Sequence, residues 1–159
     1  MKTFRDDLVE HCLAELALLG ASLDVDITPD QNGACFFEHE EGWRLAIMLA
    51  GEDQVVAAVS VLSEIEAPSA EALAGTLTAF NWLGARTDGA ALSWNPRSQS
   101  FLLWRSLDAE TLTAAGLNAV LLRLIGTAGE LQPALLAQLA VSGAEAGAVE
   151  RAPAFGQRV

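Results

Sequence analysis

The chain has 159 residues, with 21 Asp and Glu against nine Lys and Arg, and a formal net charge of −12. An acidic surface repels phosphate backbones and anionic lipid, which argues against nucleic acid and membrane surface as partners. With 52% hydrophobic and 19% charged residues, it is too apolar for a disordered chain and long enough for one domain with its own core.

Phe4, Leu8, Cys12, Leu16 and Leu19, with Val9, Leu13 and Ala17 beside them, recur at intervals of three and four and predict a helix over residues 4–19. Thr3 suits its N-cap, Asp6 and Asp7 its positive first turn, and Gly20 its stop. Two acids directly after the first basic residues do not read as a signal peptide. No apolar run reaches the about 18–20 residues that span a bilayer. Cys12 and Cys35 read as small packed residues rather than a bridge, which suits a reducing compartment. The expected location is the cytoplasm.

Residues 21–33, broken by Pro29, Asn32 and Gly33, read as a connection. Three extended runs follow, at 34–38, 43–50 and 54–62, with period-two alternation in the second and third. The breaks Glu40-Glu41-Gly42 and Gly51-Glu52-Asp53 are short enough for hairpins, so an antiparallel meander is expected. Ser69 opens a second helix with Leu73, Leu77, Phe80 and Gly84 on one stripe. Strands at 90–94 and 100–105 flank the turn Asn95-Pro96-Arg97-Ser98. Asp108 is the expected cap of a long third helix, and Gly126, Gly129 and Pro133 predict a kink or a split into two. The fold class is α+β, one domain over 1–142, with 143–159 as a flexible tail.

Chemistry is nearly absent from this layout. His11 and Cys12 are adjacent on a helix and diverge by about 100°. Cys35 and His39 lie too far apart along a strand to bond. Glu38, His39 and Glu41 could hold a cation or serve a small enzyme, but a hairpin end is also charged simply because it is solvated, and no second His or Cys stands at ligand spacing. No catalytic residue, metal site or cofactor is expected. Trp43, Trp82, Trp94 and Trp104 are large anchors, for the core or for a partner. The strands carry apolar residues on both faces: Phe36 adjoins Phe37, and Met48 and Val56 oppose their strands' main stripes. A small sheet with helices on one side should show a polar second face. Another chain is needed to cover this one.

The order of elements, together with Gly33-Ala34-Cys35-Phe36-Phe37, residues 43–49, the helix closing on Asn81, Gly89-Ala90-Ala91-Leu92, and Leu102-Leu103-Trp104 followed by Leu107-Asp108-Ala109-Glu110-Thr111-Leu112, resembles the class I chaperones of type III secretion, the Tir chaperone (CesT-like) family. The resemblance covers residues 3–128. It implies a non-enzymatic, cytoplasmic bacterial homodimer that holds the N-terminal segment of a secreted effector in extended form, keeping it soluble and ready for export. Combined with the alternation above, it assigns Phe4, Leu8, Cys12 and Leu16 of the first helix and Phe36, Met48 and Val56 of the sheet to the effector, and Leu73, Leu77, Phe80 and Trp82 to the dimer. Because alternation alone sets the faces, either set could prove to be core. An adaptor of the same architecture that binds a folded protein is the other reading.

Overall fold

In the computed structural model, which describes residues 6–142 apart from the side chain of Leu83, the elements follow the expected order. They are α1 (Asp6–Leu23), β1 (Ala34–Glu38), β2 (Arg44–Ala50), β3 (Gln54–Leu62), α2 (Ala70–Asn81), a 3-10 turn (Trp82–Gly84), β4 (Ala91–Asn95), β5 (Ser100–Asp108) and α3 (Ala114–Val141). The strands form one five-stranded antiparallel sheet in the order β1-β2-β3-β5-β4, so the α+β class expected from sequence holds. Phe4, Thr3 and the segment 143–159 lie outside the described residues.

The chain divides into two compact units, Met1–Ala58 with Arg105–Arg123 and Val59–Trp104 with Leu124–Val159. In the first, α1 buries Leu8, Cys12, Leu16, Leu19 and Gly20. The helix does not stop at Gly20. Its end is set by Asp24, in the left-handed region at φ 54°, and by the Val25 amide, which donates back to the Gly20 carbonyl at 3.0 Å. That six-to-one bond is a Schellman closure. Gly20 is needed for proximity instead: a Cβ there would stand 2.7 Å from the Val25 carbonyl oxygen.

Two side chains of α1 place the start of α3. His11 donates from Nε2 to the Leu112 carbonyl at 3.0 Å, and Glu15 accepts the Ala114 amide at 2.7 Å. Thr113 accepts the Gly116 amide at 3.0 Å, so Thr113 is the cap and Asp108 is not. Asp108 instead closes a strand longer than expected. β5 continues past Arg105 because it finds partners: Ser106 donates to the Gln54 side chain at 3.0 Å and the Ala109 amide to the Asp53 carbonyl at 2.9 Å.

In the second unit, Val59, Val61, Leu92, Phe101 and Leu103 are buried with Leu124, Ala128, Leu131, Leu135 and Leu139 of α3. Those α3 positions form one stripe, and Gly126, Gly129 and Pro133 are all exposed. The breakers therefore sit where water can take the carbonyl that Pro133 leaves unbonded, and α3 runs as one helix rather than two. Among the described residues, α3 is also long and apolar enough to cross a bilayer by length and composition. This corrects the expectation that no such run exists, although a core helix meets the same criterion.

Ser69 caps α2 as expected, accepting the Ala72 amide at 3.2 Å. Phe80 is fully buried, with the Arg86 guanidinium 4.2 Å from its ring centre. Thr76 is fully buried too, and its hydroxyl has no hydrogen-bond partner. A buried, unsatisfied hydroxyl costs stability. Thr76→Val is therefore expected to raise the unfolding free energy by about 1 kcal/mol, measured by denaturant titration; a loss of stability would show that the hydroxyl is satisfied in solution.

Candidate functional site

The β1–β2 hairpin sorts its residues cleanly. In its register Phe36 faces Ala46 and Ala34 faces Met48, while Cys35 faces Ile47 and Phe37 faces Leu45. Cross-strand partners share a face. The face of Cys35, Leu45 and Ile47 is buried at 2% exposure or less. The opposite face leaves Phe36 71% and Met48 39% exposed, and Val56 is half-buried. Part of the apolar second face expected from sequence is exposed, at Phe36 and Met48, whereas Ala58, Ser60 and Leu62, of the same parity as Val56 on β3, are buried.

The edge of β1 carries the polar half of the site. Leu49 donates to the Gly33 carbonyl and His39 to the Trp43 carbonyl, so the odd-numbered residues of β1 bond to β2. Antiparallel pairing then turns the main-chain groups of Ala34, Phe36 and Glu38 outward. Ala34 is already taken: its amide donates to the Asp30 carboxylate at 3.0 Å and its carbonyl accepts the Asp30 amide at 2.8 Å. The Ala34 and Asn32 amides hold the Asp30 carboxyl below its ordinary pKa. What remains is the N–H and C=O of Phe36 and Glu38. Among the described residues nothing bonds to these four groups, which face an open edge beside an exposed phenyl ring.

On α1 the structure corrects the sequence reading. Leu8, Cys12 and Leu16 are core residues, 6%, 0% and 1% exposed. The outward side of α1 is nevertheless apolar: Leu13 is 42% and Leu18 59% exposed, and Ala14, Ala17 and Ala21 lie exposed with them. This second stripe was visible as Leu13 and Ala17 flanking the first. Only burial shows which of the two faces in.

The α2 set divides as well. Phe80 is core rather than interface, Leu73 and Leu77 are half-buried, and Trp82 stands 68% exposed on the turn that follows. Trp43, Trp94 and Trp104 are half-buried; the Trp94 ring lies 5.0 Å from that of Phe101, and Trp104 donates to Ser93 at 2.7 Å. The Asn81 carboxamide closes the β4 edge, accepting the Leu92 amide at 2.7 Å and donating to its carbonyl at 2.8 Å.

Among the described residues, the titratable groups assemble into no reactive set. Cys12 and Cys35 are free and buried. Burial, then the Asp30 charge, pushes the Cys35 thiol up to about 11, and burial raises Cys12 as well, with Glu15 adding to it. Nδ1 of His39 accepts the Glu41 amide at 3.3 Å, which is a turn contact. Among the described residues, no three His, Cys, Asp or Glu side chains group to hold a metal ion.

An open strand edge flanked by exposed apolar side chains is the surface of a protein-binding module. The chain belongs to the Tir chaperone protein (CesT) family, whose profile matches residues 14–132, and the family is one of non-enzymatic type III secretion chaperones. Solved structures agree on the fold. A chain of the ExsC–ExsE complex matches with a TM-score of 0.66 at 18% identity, over 79% of this chain and 94% of that one. A chain of the HopA1–SchA chaperone–effector complex gives 0.62 at 14% identity, over 81% and 98%. The Yersinia pestis type III secretion chaperone SycH in complex with a YscM2 fragment gives 0.53 at 18%, over 74% and 97%. No curated protein matches the chain in sequence.

Proposed function

We propose that this chaperone holds the N-terminal segment of a cognate secreted effector in extended form, in the bacterial cytoplasm, as a homodimer. The observation that carries the reading is the edge of β1, where the main-chain groups of Phe36 and Glu38 are open and exposed Phe36 and Met48 stand alongside. Main-chain bonds at such an edge accept many sequences, and the flanking apolar side chains select among them. Leu13 and Leu18 of α1 offer further exposed apolar side chains and replace Leu8, Cys12 and Leu16 as contacts. Val56 is the margin of the sheet patch. The domain proper is 1–142, with 143–159 as its tail.

The test is co-expression with the N-terminal segments of secreted proteins encoded beside this chain. A cognate segment is expected to co-purify and to gain no fold of its own. Phe36→Lys is expected to weaken its binding on the order of tenfold or more while the thermal midpoint stays in place, since Phe36 is exposed. Capture of a folded domain instead, insensitive to Phe36→Lys, would make the protein an adaptor.

Leu73, Leu77 and Trp82 are the remaining dimer residues. Leu77→Asp is expected to shift the protein from dimer to monomer in sedimentation velocity, because a carboxylate desolvated in an interface without a partner costs several kcal/mol. An unchanged sedimentation coefficient would move the interface elsewhere.

A further inference from the structure

We propose that the cleft at the end of α1 receives a basic side chain of the bound segment, an arginine or lysine whose stem lies on Leu23, Val25 and Phe37 and whose head meets Glu38 and Glu40. This rests on the reading of β1 as the docking edge. The cleft has a volume of about 200 Å³ and is lined by those five residues with Ser22 and His39. A guest strand beside β1 shares faces with its neighbour, so its residue next to Phe37 turns to the side of the cleft, and the residues before and after turn toward Phe36.

The walls select the occupant. An aliphatic or aromatic guest would suit Leu23, Val25 and Phe37 but would dehydrate the carboxylates at the rim. An acidic guest is repelled. A long side chain that buries methylenes and keeps its charge at the mouth satisfies both parts. The surrounding charge points the same way. Asp24 and Asp26 flank Val25, Glu40 and Glu41 follow His39, and Arg44, opposite Glu38 in the register, is the only basic residue among 6–58. Residues 6–58 and 105–123, the described part of that compact unit, hold 14 acidic residues against three arginines; residues 59–104 and 124–142 of the other hold five against two. The acidity of the described residues is thus concentrated on the unit that carries the cleft, where it attracts a cationic segment.

The experiment titrates the full-length 15N-labelled protein with N-acetyl-arginine methylamide and, in parallel, with the norleucine and glutamate analogues. The arginine probe is expected to shift the amide resonances of Leu23, Val25 and residues 37–40 and to bind about three- to fivefold tighter than norleucine. That margin should shrink at high salt. In Glu38→Gln/Glu40→Gln the margin is expected to vanish, with norleucine affinity unchanged and the amide spectrum that of a folded protein. Equal or tighter binding of norleucine in the unmodified protein overturns the proposal, as does arginine binding that leaves these resonances in place. Single-residue probes need no strand addition, so either failure leaves the docking edge to its own test at Phe36.

Discussion

Leu16→Ala is expected to lower the unfolding free energy by about 2–5 kcal/mol, whereas Leu18→Ala, two positions along the same helix, is expected to stay within about 0.5 kcal/mol of the parent protein. Leu16 is 1% exposed and Leu18 59%, so truncating the first leaves a cavity in packed surroundings and truncating the second only trims surface. Binding should respond in the opposite sense. Leu18→Ala should weaken capture of the bound segment with no change in the urea midpoint, while Leu16→Ala should lose capture only as far as the protein unfolds. Paired denaturation and pull-down measurements decide it. A Leu16→Ala protein of full stability that fails to bind would return the inner stripe of α1 to the interface.

The second large effect is at Gly20. In an exposed helix, glycine to alanine gains about 1 kcal/mol. Here the new Cβ would stand 2.7 Å from the Val25 carbonyl oxygen, and that oxygen is backbone, held in place as the chain reverses after α1. Gly20→Ala is therefore expected to destabilise by about 1–3 kcal/mol, and Gly20→Val by more. The displaced residue is Val25, a wall of the cleft, so the resonances that report on the cleft should move in Gly20→Ala even where the protein stays folded. A thermal midpoint at or above that of the parent protein would show that the reversal has slack.

Much of this architecture is legible in the sequence because its signals are local. A short apolar run places β1 and period-two alternation places β3 to the residue, Ser69 announces α2, and turn residues mark each hairpin. One departure is local, the closure of α1 at Asp24 rather than Gly20; the others are non-local. Glu15 and His11 decide where α3 begins from about a hundred residues away. Asp53 and Gln54 extend β5 beyond its apolar run. Gly126, Gly129 and Pro133 break helices in isolation but here fall on the side with least to lose. The site is half legible for a related reason. Met48 can be picked out because it opposes a clear stripe, and Phe36 because two adjacent phenylalanines on a strand cannot share a face. α1 is apolar on two sides, and periodicity cannot rank two such stripes. The role of Asp30 is not visible at all, since it depends on a carboxylate folding back onto a strand four residues later.

Asp30 has a further consequence. A bare strand border invites any extended polypeptide, including another copy of the same protein, and a long one can seed stacking without limit. At this border one carboxylate holds the first rung and leaves two residues vacant. Asn81 occupies the rung at Leu92 on the opposite border. A molecule built this way can greet a short visitor while staying a poor template for fibres, as a protein with the job of keeping others from clumping must.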